Sequence, residues 1–196
     1  SVRLIGDYTR RTEKCCGAIY VDSSVNEYIG NLNTPGIGAT LPNGNNIINV
    51  LRDLGQPLAA FNPGYTREIS SSVGRSFAGK TTDGGISAQI DYDLGGAKLT
   101  SITGYRKYRS GQGSDTDYSA VDILYRTPSD DAYRQFKTFS QELRLQGEAF
   151  DGKLDWLVGG FFADEKLTLR DNLRFGSQYG RFATCRIISG GGLAGL

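Results

Sequence analysis

Residues 136–148 read FKTFSQELRLQGE and residues 153–164 read KLDWLVGGFFAD, with Phe150-Asp151-Gly152 between them. In the first run Phe139, Leu143 and Leu145 share one side, with Gln141 as its polar member. Thr138, Ser140, Glu142, Arg144, Gln146 and Glu148 share the other. In the second run Leu154, Trp156, Val158, Gly160 and Phe162 line one side, and Leu157 and Phe161 are apolar exceptions on the opposite one. Side chains that alternate in this way read as strands, and a short glycine turn between two strands makes an antiparallel hairpin. An upstream pair repeats the design: GGISAQIDYD at 84–93 and AKLTSITGYRKY at 97–108, joined by Leu94-Gly95-Gly96.

Residues 2–9 add a further strand. The stretches between are long and polar: 10–83, 110–135 and 167–196. Turn signals fall at Asn33-Thr34-Pro35-Gly36, Pro42-Asn43-Gly44-Asn45 and Asn62-Pro63-Gly64. Ile47–Leu54 has the composition of a helical turn or two. Short turns at one end of the strands and long loops at the other form the pattern of a transmembrane β-barrel. The expectation is therefore an all-β fold: an antiparallel meander forming part of a large transmembrane β-barrel, with long extracellular loops. The apolar sides would meet lipid, and Gln89, Asp91, Glu142 and Arg144 would line a polar lumen. About five strands cannot close a cylinder, so residues 1–196 read as an internal segment of such a domain. Half-buried strands of a soluble sheet alternate identically, and that reading stands as the rival.

Composition limits the functions open to the chain. It has 196 residues, 38% of them hydrophobic, and a net charge of +1, so no overall field selects nucleic acid. No run of 18 apolar residues offers a transmembrane helix. Histidine is absent, which removes Ser-His-Asp and Cys-His catalysis. The acidic pairs Asp115/Asp117 and Asp130/Asp131 lie in polar loops and read as solvated surface. Gly190-Gly191-Gly192 has no following Lys and is not a phosphate loop. The chain is expected to be no enzyme, with no catalytic residue, metal or cofactor. Arg106, Lys107 and Arg109, beside Tyr105 and Tyr108, suit either an anionic, metal-chelating ligand or a band of lipid headgroups, and the latter is preferred. Cys15, Cys16 and Cys185 all fall in loop-like regions. A bridge from Cys15 or Cys16 to Cys185 is feasible if the loops meet, and unpaired thiols are the alternative.

The stretches FSQELRLQG at 139–147 and FDGKLDWLVGGFFADEK at 150–166 resemble the barrel of TonB-dependent outer-membrane receptors. Gln141, Glu142, Leu143 and Arg144 match one strand element; Trp156, Gly159 or Gly160, and Phe161 or Phe162 match the next. LTSITGYRKY at 99–108 is similar to the strand one hairpin earlier. DYTRRTEKCCGA at 7–18 looks like a strand-to-loop junction in receptors of Sphingomonas-like and Caulobacter-like bacteria. The resemblance implies a barrel of about 22 strands around a plug domain that this stretch lacks. It implies a cell outer membrane location and contact with outer-membrane lipid. It also implies uptake of a siderophore, cobalamin, saccharide or similar nutrient, with energy from the TonB–ExbB–ExbD complex acting on a plug and TonB box. The alternatives are a structural or adhesive outer-membrane barrel protein, or a soluble carbohydrate-binding β domain.

Overall fold

The computed structural model describes residues 1–19, 47–61, 67–128 and 131–189. In chain order the elements are strand β1 (Val2–Lys14), helix α1 (Ile47–Asp53), β2 (Ala78–Asp93), β3 (Ala97–Gln112), β4 (Ser114–Asp115) and β5 (Leu124–Arg126). There follow β6 (Ala132–Ala149), β7 (Leu154–Asp171), β8 (Arg174–Phe175) and helix α2 (Tyr179–Ser189). They fall into two compact units. One gathers Ser1–Glu13, Gly79–Gly111 and Ala132–Asp171; the other gathers Lys14–Ala78, Gln112–Asp131 and Asn172–Leu196.

The first unit is a five-stranded sheet in the order β1-β2-β3-β6-β7. Its register follows from the hairpin turns. Leu94 N–H donates to the Ala97 carbonyl, and Gly95 N–H donates to Asp93 Oδ1 at 2.8 Å. Gly95 takes φ +85°, a conformation that needs no Cβ. Between β6 and β7, Phe150, Asp151 and Gly152 all have positive φ. The pairing then sets Leu99, Leu145 and Val158 in one cross-strand row and Thr100, Arg144 and Gly159 in the next. The sheet is thin: Thr100 is its one buried residue with a side chain among those described. Ile90, Leu143, Val158 and Phe162 are all exposed.

The second unit has a core of its own. Val50, Leu51, Leu54, Val121 and Ile123 are buried together, with Leu124, Tyr179, Phe182 and Cys185 packed against them. Burial of each such aliphatic side chain contributes about 1.5–3 kcal/mol. A small sheet in the order β4-β5-β8 lies in this unit.

Two sequence expectations are corrected by this architecture. β1 and β7 are the edges of an open sheet, and the described residues form no closed barrel. The fold is a two-sheet all-β arrangement, in place of a segment of a large transmembrane β-barrel. Alternation misled because it reports that a strand has two unlike sides and not what each side meets. The strands are also longer than expected. β1 runs to Lys14 and β2 begins at Ala78, so the stretch between them is shorter, and the intervening stretches carry β4, β5, β8 and both α-helices. Neither helix is long and apolar enough to cross a membrane.

Candidate functional site

A hollow of about 690 Å³ sits at the turn end of the five-stranded sheet. Asp93, Lys98, Gln146, Glu148, Asp155 and Trp156 line it, with glycines between them. Its geometry starts from glycine. Ala97, Gly147 and Trp156 form one cross-strand row. A Cβ on Gly147 would lie 2.9 Å from the Trp156 ring and 2.7 Å from the Gly96 carbonyl oxygen. The indole therefore packs against Gly147. The neighbouring rows bring Lys98 beside Gln146 and Glu148 beside Asp155. Because Gly95, Gly96 and Gly147 have no side chains, residues from both sides of the sheet reach the hollow.

This set has a recognisable chemistry. An aromatic ring offers an apolar face. Carboxylates accept hydrogen bonds, and the Gln146 amide both donates and accepts. The hollow is within the usual size range for small-ligand sites. Three carboxylates face one ammonium, so the site disfavours acidic ligands.

The residues expected from sequence to line a lumen have neighbours within the sheet, although Arg144 Nε is left without a hydrogen bond. Asp91 accepts from Thr100 Oγ1 at 2.7 Å, Ser1 Oγ at 3.1 Å and Gln89 Nε2 at 3.1 Å. Hydrogen bonding, chiefly from Thr100, holds its carboxyl below the usual range. Arg144 Nε lies 2.8 Å from Glu142 Oε1. Arg106, expected to attract a ligand, donates to Asp83 at 2.6 and 2.9 Å and to Asp7 at 3.1 and 3.2 Å. It is a staple across β1, β2 and β3. Lys107 and Arg109 lie on the other side of the sheet, where Arg109 covers the Tyr133 ring at 4.0 Å.

The cysteines also differ from expectation. Cys15 is bonded to Cys16, and Cys185 is free and half-buried, so the bridge to Cys185 is not made. Cys16 adopts φ +75°, and Gln112 Nε2 donates to the Cys15 carbonyl at 3.0 Å. Asp115 and Asp131, one member of each acidic pair, are not solvated surface either. Asp115 and Asp131 are each 1% exposed. Asp131 is clamped by Arg174 and Thr127, which hold its carboxyl well below the ordinary range. Asp130 and Gly190–Gly192 lie outside the described residues, as do the turn signals at 33–36, 42–45 and 62–64. Among the described residues no group of three or more Cys, Asp or Glu could hold a metal ion.

These features define a class: an all-β protein of two units with a polar, aromatic-floored hollow at its hairpin end. No protein-family model, curated protein or solved structure matches the chain. The resemblance to TonB-dependent receptors is corrected accordingly. The open sheet removes the closed barrel on which it rested, and no match restores it. With it go nutrient uptake, the TonB–ExbB–ExbD partnership, lipid contact and the outer-membrane location. A Gln-Glu-Leu-Arg strand followed by Trp and paired glycines is simply what a hairpin with one apolar side contains.

Proposed function

We propose that this chain is a carbohydrate-binding β domain that holds its ligand and does not transform it. The observation that carries the reading is Trp156, packed against Gly147 in a hollow that Asp93, Gln146, Glu148, Asp155 and Lys98 also line. A pyranose has an apolar face of C–H groups and a rim of hydroxyls. The indole offers a stacking surface for the first, and the exposed carboxylates and amide offer hydrogen bonds to the second.

The chain's one tryptophan makes the test direct. Titration with a panel of neutral oligosaccharides is expected to quench and shift Trp156 emission saturably. Trp156→Ala should abolish binding measured by calorimetry while leaving the circular dichroism unchanged. A folded protein whose emission responds to no glycan in the panel contradicts the reading.

A further inference from the structure

The cross-strand register creates a row that the hollow does not use. Lys107 on β3 faces Lys137 on β6, and Lys137 faces Lys166 on β7. All three are exposed. Like charges directly opposite each other on a sheet are destabilising, and here the middle lysine has one on each side. None of the three makes an ion pair with any described residue. Asp164, two residues along β7 on the same side, is not drawn to them. The next rows outward add Arg109, Gln135 and Thr168, then Tyr133 and Arg170. Two other acids of this part of the sheet, Asp83 and Glu165, belong to the opposite side, where Arg106 and Thr138 engage them.

We propose that the Lys107–Lys137–Lys166 ladder is a docking line for an anionic polysaccharide bearing a carboxylate or sulfate on successive sugars. The proposal rests on the carbohydrate-binding reading for its class of polymer, although it uses a different part of the sheet. Adjacent strands are about 4.8 Å apart, so the ladder presents its ammonium groups at roughly that step, near the repeat of an extended glycan chain. A narrow line of cations on a chain with a net charge of only +1 is unlike the broad basic field that nucleic acid requires. An anion seated between the lysines relieves their mutual repulsion, so ligand and fold stabilise each other.

The test uses alginate oligomers as the probe, with neutral glucan oligomers, single-stranded DNA and anionic phospholipid vesicles as competitors. Alginate is expected to bind with an affinity that falls as salt rises. Lys137→Glu should weaken binding by at least about tenfold and raise the melting temperature, because the row becomes alternating in sign. A merely structural lysine would not couple lost binding to gained stability. If Lys137→Glu does not fold, Lys137→Gln provides the same comparison with about threefold to tenfold weaker binding expected. Unchanged alginate affinity in the folded variant overturns the proposal, as does binding of DNA or vesicles at least as tight as alginate. Alginate binding that survives Trp156→Ala but fails in Lys137→Glu supports the ladder whatever becomes of the hollow. Neutral-glycan quenching at Trp156 without any alginate binding overturns the ladder alone.

Discussion

Asp115 is the residue whose environment departs furthest from what its sequence context suggests. It is 1% exposed, accepts one backbone hydrogen bond from Ser72 N–H at 2.6 Å through Oδ2, and has no donor to Oδ1. Its neighbour Asp117 accepts from Ser119 N–H and Oγ–H and from the N–H groups of Ile123 and Leu124. Burial, opposed by the Ser72 bond and reinforced by the Asp117 charge, pushes the Asp115 carboxyl up to about 6. A raised carboxyl gives stability that is complete below its unfolded value of about 3.8 and is lost as pH rises through about 6. The loss approaches 3 kcal/mol, at about 1.4 kcal/mol per pH unit of displacement. Asp122 works in the opposite sense. Arg75, bonded to it through Nε and Nη2 at 2.7 Å, lowers it to about 2, so its contribution is present above 3.8 and lost as pH falls towards 2. The two together place maximal stability near pH 4, with the Asp115 contribution falling away from there to about pH 6 and the Asp122 contribution falling away towards pH 2. Asp115→Asn keeps the acceptor for Ser72 and offers Asp117 a donor without titrating. Denaturant unfolding should find it equal to the wild type at pH 4 and more stable by up to about 3 kcal/mol at pH 8. Equal pH profiles would show that Asp115 titrates normally.

At the scale of elements, glycine decides where the β6–β7 hairpin is useful. Gly147→Ala would drive a Cβ against both the Gly96 carbonyl and the Trp156 ring. Overpacking of this kind costs about 1–3 kcal/mol. The expected result is a lower melting temperature, red-shifted Trp156 emission and weakened glycan binding. Gly160→Ala, with nothing within 4 Å of its Cβ, is the control and should leave all three unchanged. The strands themselves were legible: alternation at 84–93, 136–148 and 153–162 located β2, β6 and β7, because a strand's period is a local property. The site was less legible. Trp156 stood out by its chemistry, but its partners Lys98, Gln146 and Asp155 come from three strands and are joined only by register. A signal was present in Gly95, Gly96 and Gly147, which cluster near both hairpin turns. The burial of Asp115 and Asp131 left no trace in sequence, because it depends on Ser72, Thr127 and Arg174, up to 43 residues distant.

For the whole molecule, the two units draw on unequal sources of stability. The buried aliphatic core, Val50, Leu51, Leu54, Val121 and Ile123, lies wholly in one of them, together with the clamps Arg75–Asp122 and Arg174–Asp131. The five-stranded sheet is held mainly by its ladder of backbone hydrogen bonds, which contribute only about 0.5–1.5 kcal/mol each net of water. It exposes Val2, Leu4, Ile86, Leu143, Val158 and Phe162 and buries almost no side chain in return. Regions with few buried apolar contacts open first. Unfolding should therefore proceed in two steps, with Trp156 emission, which reports the sheet, changing at lower denaturant than the near-ultraviolet signal of Tyr179 and Phe182 beside the core. Amides of β1 and β7, at the sheet edges, should exchange fastest among the strands, and those of Ser72 and Val121 slowest overall. A single transition shared by every probe would mean that the sheet's stability comes from something other than its own contacts. A saturating glycan should then delay only the first step, because it binds the unit that opens first and leaves the core untouched.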